Sequence, residues 1–441
     1  MPAQKDAKQR GEAERAHLGR SSLADKPKRK FDPLDVLQEA SKKHIARLLP
    51  VKLNLMSASP FAFFRGSVEI MAADLGESPH TRIEVQMCGD AHVKNFGFFA
   101  TPGSEIVLDI NDFDETQRGP WEWDVKRLAA SIILAGRVAG DSEACCKDAV
   151  RSFVSDYCEW IRRFAALPAI EVARHRIVRD LRDPAIRSAL RKAERSTPIA
   201  TLNKLVRKKG PGYSFIYKRD SIWDVKAVDE RTVLRALEDY RATLAPDRQF
   251  LFDHYTIADV GFKVVGTGSV GTRDYVLLLL GRDSGDKDPL FLQVKEEQPS
   301  AYAAYYKDRT APRHQGERVV LGQRALQVFS DLLLGWCSID GRDYLVRQLS
   351  DHKSAVEPEE LKGDRLIEYG RVCAELLAKG HARSGVPAFQ AAYLGRRGKA
   401  EKALCQYAQG YADQVESDYD AFRKALRHNF TREAMKVARQ G

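Results

Sequence analysis

The spacing of apolar positions divides this chain into blocks of different period. Val36, Leu37, Ile45, Leu48 and Leu49 predict a helix over 35–49, and the Phe-rich run that opens at Ser59-Pro60 predicts a second helix to about Leu75. Two short apolar runs follow, 83–87 and 106–110. Each is too short for a helix and is bounded by polar turn residues, so each reads as a strand. A helix opens after Gly119-Pro120 and continues to about Val138, and 142–245 reads as mostly helical, with breaks near Pro168, Pro184 and the turn at 208–212. From about Tyr255 the pattern becomes strand-like, over 260–265, 275–280 and 290–295. A helix over 315–334, a strand over 344–349, a long helix over 358–379 and a further helical stretch complete the chain. This order predicts an α+β protein with a helical body in 31–250, a β-rich lobe in 251–355 and C-terminal helices in 356–441 that rejoin the body.

Charge and composition sharpen the ends of that division. Of the net charge of +10, half sits in residues 1–30, where nine Lys and Arg face four acids. With few apolar residues, this stretch predicts a disordered basic arm. At 44% hydrophobic over 441 residues the chain can bury a sizeable core. Seven scattered Cys without a Cys-x-x-Cys pair argue against a disulfide framework and a zinc site. With no apolar run of membrane-spanning length and no apolar leader at the N-terminus, a cytoplasmic protein is expected, without a membrane partner. Basic charge alone, without aromatic residues interleaved on strands, argues against nucleic acid as the partner.

Candidate chemistry concentrates where the two short strands end. The first delivers Gly89-Asp90-Ala91-His92-Val93-Lys94-Asn95, and the second delivers Asn111-Asp112-Phe113-Asp114. Any one of these residues is an ordinary turn former. Together they supply what a metal–phosphate site requires: one acid to orient a nucleophile, and an amide with further acids to offer hard oxygen ligands to divalent cations. Downstream, Gly266-Thr267-Gly268-Ser269-Val270-Gly271 lies between two strand-like runs, so the glycines belong to a hairpin and not to a strand–helix turn. A hairpin of this kind suits a flap whose backbone N–H groups cover phosphates. Lys295 ends the next apolar strand, a position from which a lysine reaches nucleotide phosphates. Glu317, in the following helix, is a candidate acid partner for it, with Glu296 and Glu297 as alternatives.

On these residues the chain resembles the aminoglycoside and choline phosphotransferases, small-molecule members of the protein-kinase-like superfamily. Residues 89–95 look like their catalytic loop, and 111–114 resemble their metal-binding motif. The resemblance implies Asp90 as catalytic base, His92 as the loop histidine, and Asn95 and Asp112 as magnesium ligands. It also implies Asp114 as a further metal or substrate contact and Asp124 as a brace for the loop. Over nearly everything after residue 30, carried by 59–75, 88–137, 318–323, 344–351 and 381–385, the sequence is similar to a bacterial family catalogued as domain of unknown function 2252. One departure stands out: the glycine flap and Lys295 follow the catalytic loop instead of preceding it. The expected fold is therefore a circularly permuted, protein-kinase-like two-lobe fold, with the catalytic core before the glycine-flap lobe.

The expected activity is ATP- and Mg²⁺-dependent phosphoryl transfer to a hydroxyl, with ATP and Mg²⁺ as cofactors. The helical stretch 142–245 favours a small-molecule acceptor. Nucleotidyl transfer on the same scaffold and a nucleotide-binding regulator without catalysis are the alternatives.

Overall fold

The computed structural model describes residues 2–428 apart from 27, 178–182, 211, 219–220, 226, 265–270, 350–351 and 397. Its strands are β1 (Glu84–Met87), β2 (Phe96–Ala100), β3 (Ile106–Ile110), β4 (Gln117–Pro120), β5 (Val206–Lys209), β6 (Gly212–Phe215), β7 (Ile222–Asp224), β8 (Tyr255–Lys263), β9 (Asp274–Gly281), β10 (Gly285–Glu296), β11 (Gly335–Ile339), β12 (Arg342–Gln348) and β13 (Ser354–Ala355). The fold is mixed α+β.

The largest sheet has the order β11-β12-β10-β9-β8-β7, and every neighbouring pair is antiparallel. Its central strands are almost continuously apolar because both faces are covered. Alternation sends Leu277, Leu279, Leu292 and Val294 into one core with Leu237, Tyr240 and Leu333, and sends Val276, Leu278 and Phe291 into another with Phe215 and Ile222. The sheet begins earlier than the boundary expected at 251. Ile222 pairs with Lys263 across the edge, and the helix Ala227–Ala242 supplies Val233, Leu237 and Tyr240 to the sheet's core. The stretch expected to be helical up to 245 also contains the hairpin β5–β6 around Gly210, whose φ of +60° suits a tight turn.

The helical body is built on the helix Trp121–Val138, buried at every position from Trp121 to Gly136. Glu143–Phe164, Asp364–Ser384 and Lys399–His428 contribute to the same core. In the N-terminal half, the single helix expected from Ser59 to Leu75 is two, Pro60–Gly66 and Val68–Gly76, broken at Ser67. The expected helix over 35–49 likewise divides into Pro33–Ser41 and Leu49–Met56, the second begun by Pro50 in its first turn.

The expected disordered arm is a helix, Pro2–His17. It buries Ala7, Gly11 and Glu14, with Leu18 just past its end, against the body. Gly11 lies against the helix Pro387–Leu394 so closely that a Cβ there would stand 2.5 Å from that of Ala392. Several of the charges that suggested solvation are engaged in fixed contacts. Arg15 donates to the carbonyl of Tyr393, Arg20 to that of Leu394, Glu14 holds Arg82, and Arg29 bridges the buried carboxylates of Asp74 and Asp418.

Two small sheets position the polar loops. β2 and β3 pair with Phe96 opposite Ile110, so the residues just before and just after the hairpin, Asn95 and Asn111, are neighbours, joined by Asn111 N–H to Asn95 C=O at 2.9 Å. β1 and β4 pair with Met87 opposite Gln117, which lays the loop after β1 over the loop before β4. Gly89 is what permits this approach: φ is +82°, and a Cβ would stand 2.1 Å from the carbonyl oxygen of Glu115.

Candidate functional site

The loop from Cys88 to Asn95 is held from beneath by the helix Trp121–Val138. Asp124, in its first turn, accepts the backbone N–H groups of Cys88 at 2.8 Å and Gly89 at 2.9 Å. Its carboxylate also lies 3.2 Å from Nε2 of His381, whose Nδ1 is 2.7 Å from the Tyr157 hydroxyl. Further along the loop, Ser131 accepts the N–H of Val93 at 3.2 Å, and the Tyr369 hydroxyl donates to the carbonyls of Val93 and Phe96. Every one of these groups is buried, so the loop is set in a rigid bed.

Asp90 rises from that bed. Its Oδ1 accepts from Arg127 Nε at 2.5 Å, and its Oδ2 lies 3.5 Å from His92 Nε2. Burial alone would raise its pKa, but the Arg127 guanidinium and His92 hold the carboxyl well below the usual carboxylate range. Asp90 is therefore ionised, and its side chain keeps 19% of its surface accessible to a ligand. Arg127 is fully buried and also donates to the carbonyl of Phe64 at 3.1 Å. Nothing in the apolar run around Arg127 marks it as the partner of an acid 37 positions upstream, except that a charged pair, Lys126-Arg127, stands where the helix must be buried.

Asn95 and Asp112 meet beside Asp90. The Asn95 amide donates to the carbonyls of Asp90 at 2.9 Å and Asp112 at 3.2 Å, which turns its oxygen the other way. Asn95 Oδ1 and Asp112 Oδ1 are buried acceptors with no hydrogen-bond partner among the described residues. Burial and the neighbouring Asp114 push the Asp112 carboxyl up to about 6. Two crowded carboxyls and an orphaned amide oxygen, all hard donors, are the chemistry a Mg²⁺-sized cation would satisfy. Among the described residues no group of three or more His, Cys, Asp and Glu is arranged to hold a metal. The donor set here depends on the amide of Asn95.

Lys295 reaches this pair from the large sheet. It stands on β10, opposite Asp274 of β9 and Leu345 of β12, and its ammonium forms an ion pair with Asp114. Burial disfavours its charge, but Asp114 and Asp112 more than offset that and raise its pKa. Asp114, not Glu317, is its partner. Glu317 lies in the first turn of the helix Gln315–Leu326, where its N–H is capped by His314. The link from that helix to the site is Arg318, which donates to the carbonyls of Asp114, Thr116 and Gln298. Glu297 is also near: it is buried, and desolvation together with Asp114 raises its pKa strongly.

Of the glycines, Gly266 and Gly268 lie outside the described residues. Gly271, with φ of +116°, ends the segment joining antiparallel β8 and β9, and its carbonyl accepts the N–H of Ile45 at 2.7 Å. A cavity of about 420 Å³ has Asp90, Asp112, Asp114, Lys295, Lys52 and Arg65 among its lining residues. That is within the usual size of a small-molecule site, about 300–1,000 Å³.

Fold and site together define an α+β protein with a buried acidic and amide cluster on its helical body, met by a lysine from an antiparallel sheet. The chain belongs to the family described as uncharacterized protein conserved in bacteria (DUF2252), whose profile matches residues 44–425. No curated protein and no solved structure matches it. No helix among the described residues is long and apolar enough to cross a membrane.

Proposed function

We propose that this protein is an ATP- and Mg²⁺-dependent phosphotransferase with a circularly permuted, kinase-like two-lobe fold, acting on a hydroxyl of a small molecule. The observation that carries the reading is the ion pair between Lys295 and Asp114. It joins the third strand of a sheet with a glycine-rich hairpin to an Asn-Asp-Phe-Asp turn more than 180 positions earlier. Chain order gives no reason for these segments to meet, whereas a phosphate site shared by two lobes does.

Each residue then has a defined task. Asn95 and Asp112, with Asp114 alongside, would hold Mg²⁺, which neutralises phosphate charge. Lys295 holds nucleotide phosphate oxygens. Asp90, kept ionised by Arg127, accepts a hydrogen bond from the acceptor hydroxyl and aims its oxygen at the γ-phosphorus. As the new O–P bond forms and the bond to ADP breaks, the hydroxyl proton passes to Asp90. Such a reaction needs positioning and charge neutralisation more than covalent help, and a rigid loop bed supplies the first.

The test is calorimetric titration of the full chain with Mg·ATP, for wild type and Asp112→Asn, followed by tracing of γ- and α-labelled ATP against metabolite pools. Mg-dependent binding lost in the variant, with γ-label on a product, is the expected result. Absence of Mg-dependent ATP binding by the wild type would overturn it. Label from the α-position on a product would select nucleotidyl transfer, and binding without turnover would select a regulator.

A further inference from the structure

Most cations around the cavity have a counter-charge or a full set of acceptors. Lys295 has Asp114, Arg127 has Asp90 and the Phe64 carbonyl, and Arg318 has three carbonyls and the Gln315 side chain. Two do not. Lys52, on the helix Leu49–Met56, is only 6% exposed, and among the described residues its ammonium meets only His44 Nε2, at 3.4 Å. His44 cannot balance it, because burial and the adjacent Lys52 and Lys43 keep the imidazole neutral, its pKa lowered to about 3. Arg65, on Pro60–Gly66, touches His92 Nε2 at 3.5 Å through Nε, and its two terminal nitrogens have no hydrogen bond among the described residues. Neither cation is in an ion pair with any described carboxylate, although Glu69 follows Arg65 by only four residues. Both line the same cavity as Asp90 and Asp112.

Lys52 is a buried ammonium whose partner is neutral, which is unfavourable, and Arg65 is a half-buried guanidinium whose terminal nitrogens have no acceptor among the described residues, so the cavity they both line offers two cations to an anion supplied from outside. We propose that Lys52 and Arg65 form a subsite for an anionic group, phosphate or carboxylate, carried by the acceptor. Arg65 reaches His92, and His92 reaches Asp90, so an anion on the guanidinium places the rest of a short acceptor beside the carboxylate that orients its hydroxyl. Guanidinium and ammonium together suit such a group, the planar fork fixing its orientation and the ammonium adding charge. Assignment of the anion to the acceptor rests on the phosphotransferase reading, whereas the anion subsite itself rests on Lys52 and Arg65 alone.

The test is titration of the full chain with inorganic phosphate, without nucleotide, on wild type, Lys52→Met, Arg65→Gln and Lys295→Met, with thermal melts to verify folding. Separate titrations with Mg·ATP follow on the same proteins. The proposal expects phosphate binding by the wild type, weakened about tenfold or more by Lys52→Met and by Arg65→Gln and changed by a factor of less than about three by Lys295→Met. It also expects Mg·ATP affinity to stay within a factor of about three in Lys52→Met and Arg65→Gln. Should Arg65→Gln fail to fold, Lys52→Met on the neighbouring helix decides alone. No phosphate binding by the wild type up to about 10 mM overturns it. So does loss in Lys295→Met with retention in the other two, or a fall in Mg·ATP affinity matching the fall for phosphate, which would put both cations on the nucleotide. Phosphate binding without Mg·ATP binding would leave the subsite standing and remove the phosphotransferase reading.

Discussion

Arg127 closes on Asp90 from inside the protein, Nε to Oδ1 at 2.5 Å, while the other face of the carboxylate is left to His92 and the cavity. The pair holds the acid in its ionised form, and on the proposed reading Asp90 would orient the acceptor hydroxyl. Asp90→Asn retains an oxygen for Arg127 but loses the charge that steers a hydroxyl. Turnover of the acceptor is expected to fall about 10²–10⁴-fold, with the Kd for Mg·ATP nearly unchanged. Wild-type turnover in this variant would remove Asp90 from the chemistry. Arg127→Met leaves a mostly buried carboxylate without its counter-charge, and a stability loss of about 3 kcal/mol is expected in urea denaturation.

On the proposed reading, Lys295 and Mg²⁺ would share the same acids. In Lys295→Met the carboxyls of Asp112 and Asp114 lose their nearest positive charge, so the variant should be less stable without Mg²⁺ and gain more from it. Thermal melts with and without Mg²⁺ check this, and an equal Mg²⁺ shift in wild type and variant would count against a cation at these acids. ATP affinity should fall about tenfold or more in the variant, by loss of a charge-assisted contact.

Much of this site is legible in the sequence because it is local. Asp90, Asn95, Asp112 and Asp114 flank short apolar strands, and hairpin pairing of Phe96 with Ile110 brings the two ends together without help from distant segments. Lys295 is legible for a similar reason, as the end of an apolar run one strand past a glycine hairpin. Arg127, Arg318, Lys52 and the Asp114–Lys295 pairing are not, since each depends on which face of a helix or strand meets another part of the chain. Glu317 shows the limit well. Its helix is where expected, but Arg318 is the residue that turns inward and binds the backbone around Asp114. For the N-terminal helix a signal was present. Ala7, Gly11 and Leu18 lie on one helical face, and the surrounding charge obscured it.

Gly11 carries that docking. Because a Cβ would stand 2.5 Å from the Cβ of Ala392 and 2.8 Å from the backbone nitrogen of Tyr393, Gly11→Val must push the helix Pro2–His17 away from Pro387–Leu394. Overpacking of this kind costs about 1–3 kcal/mol. Limited proteolysis should cut the N-terminal segment faster in the variant, while Ala13→Val, at an exposed position of the same helix, should cut at the wild-type rate. Equal rates for both would mean the helix is not held by this contact.

His44 gives the fold a pH dependence of defined sign. Its ring lies under Gly271, where a Cβ would stand 2.7 Å from it, and faces Lys52 and Lys43 with no described carboxylate in contact. In the folded chain it stays neutral down to about 3, whereas in the unfolded chain it takes up a proton below about 6.5. The unfolded state therefore binds more protons between these values, and stability falls as pH drops through that window. Between pH 7.5 and pH 5 the loss attributable to this ring is about 2 kcal/mol. His44→Gln keeps an acceptor for Lys52 and cannot titrate, so its urea-denaturation free energy should decline less over the same range, and wild type and variant should draw together by about that amount. Parallel pH curves for the two proteins would show that the imidazole takes up its proton alike in the folded and unfolded chains, and its role as a neutral support for Lys52 at low pH would go with it.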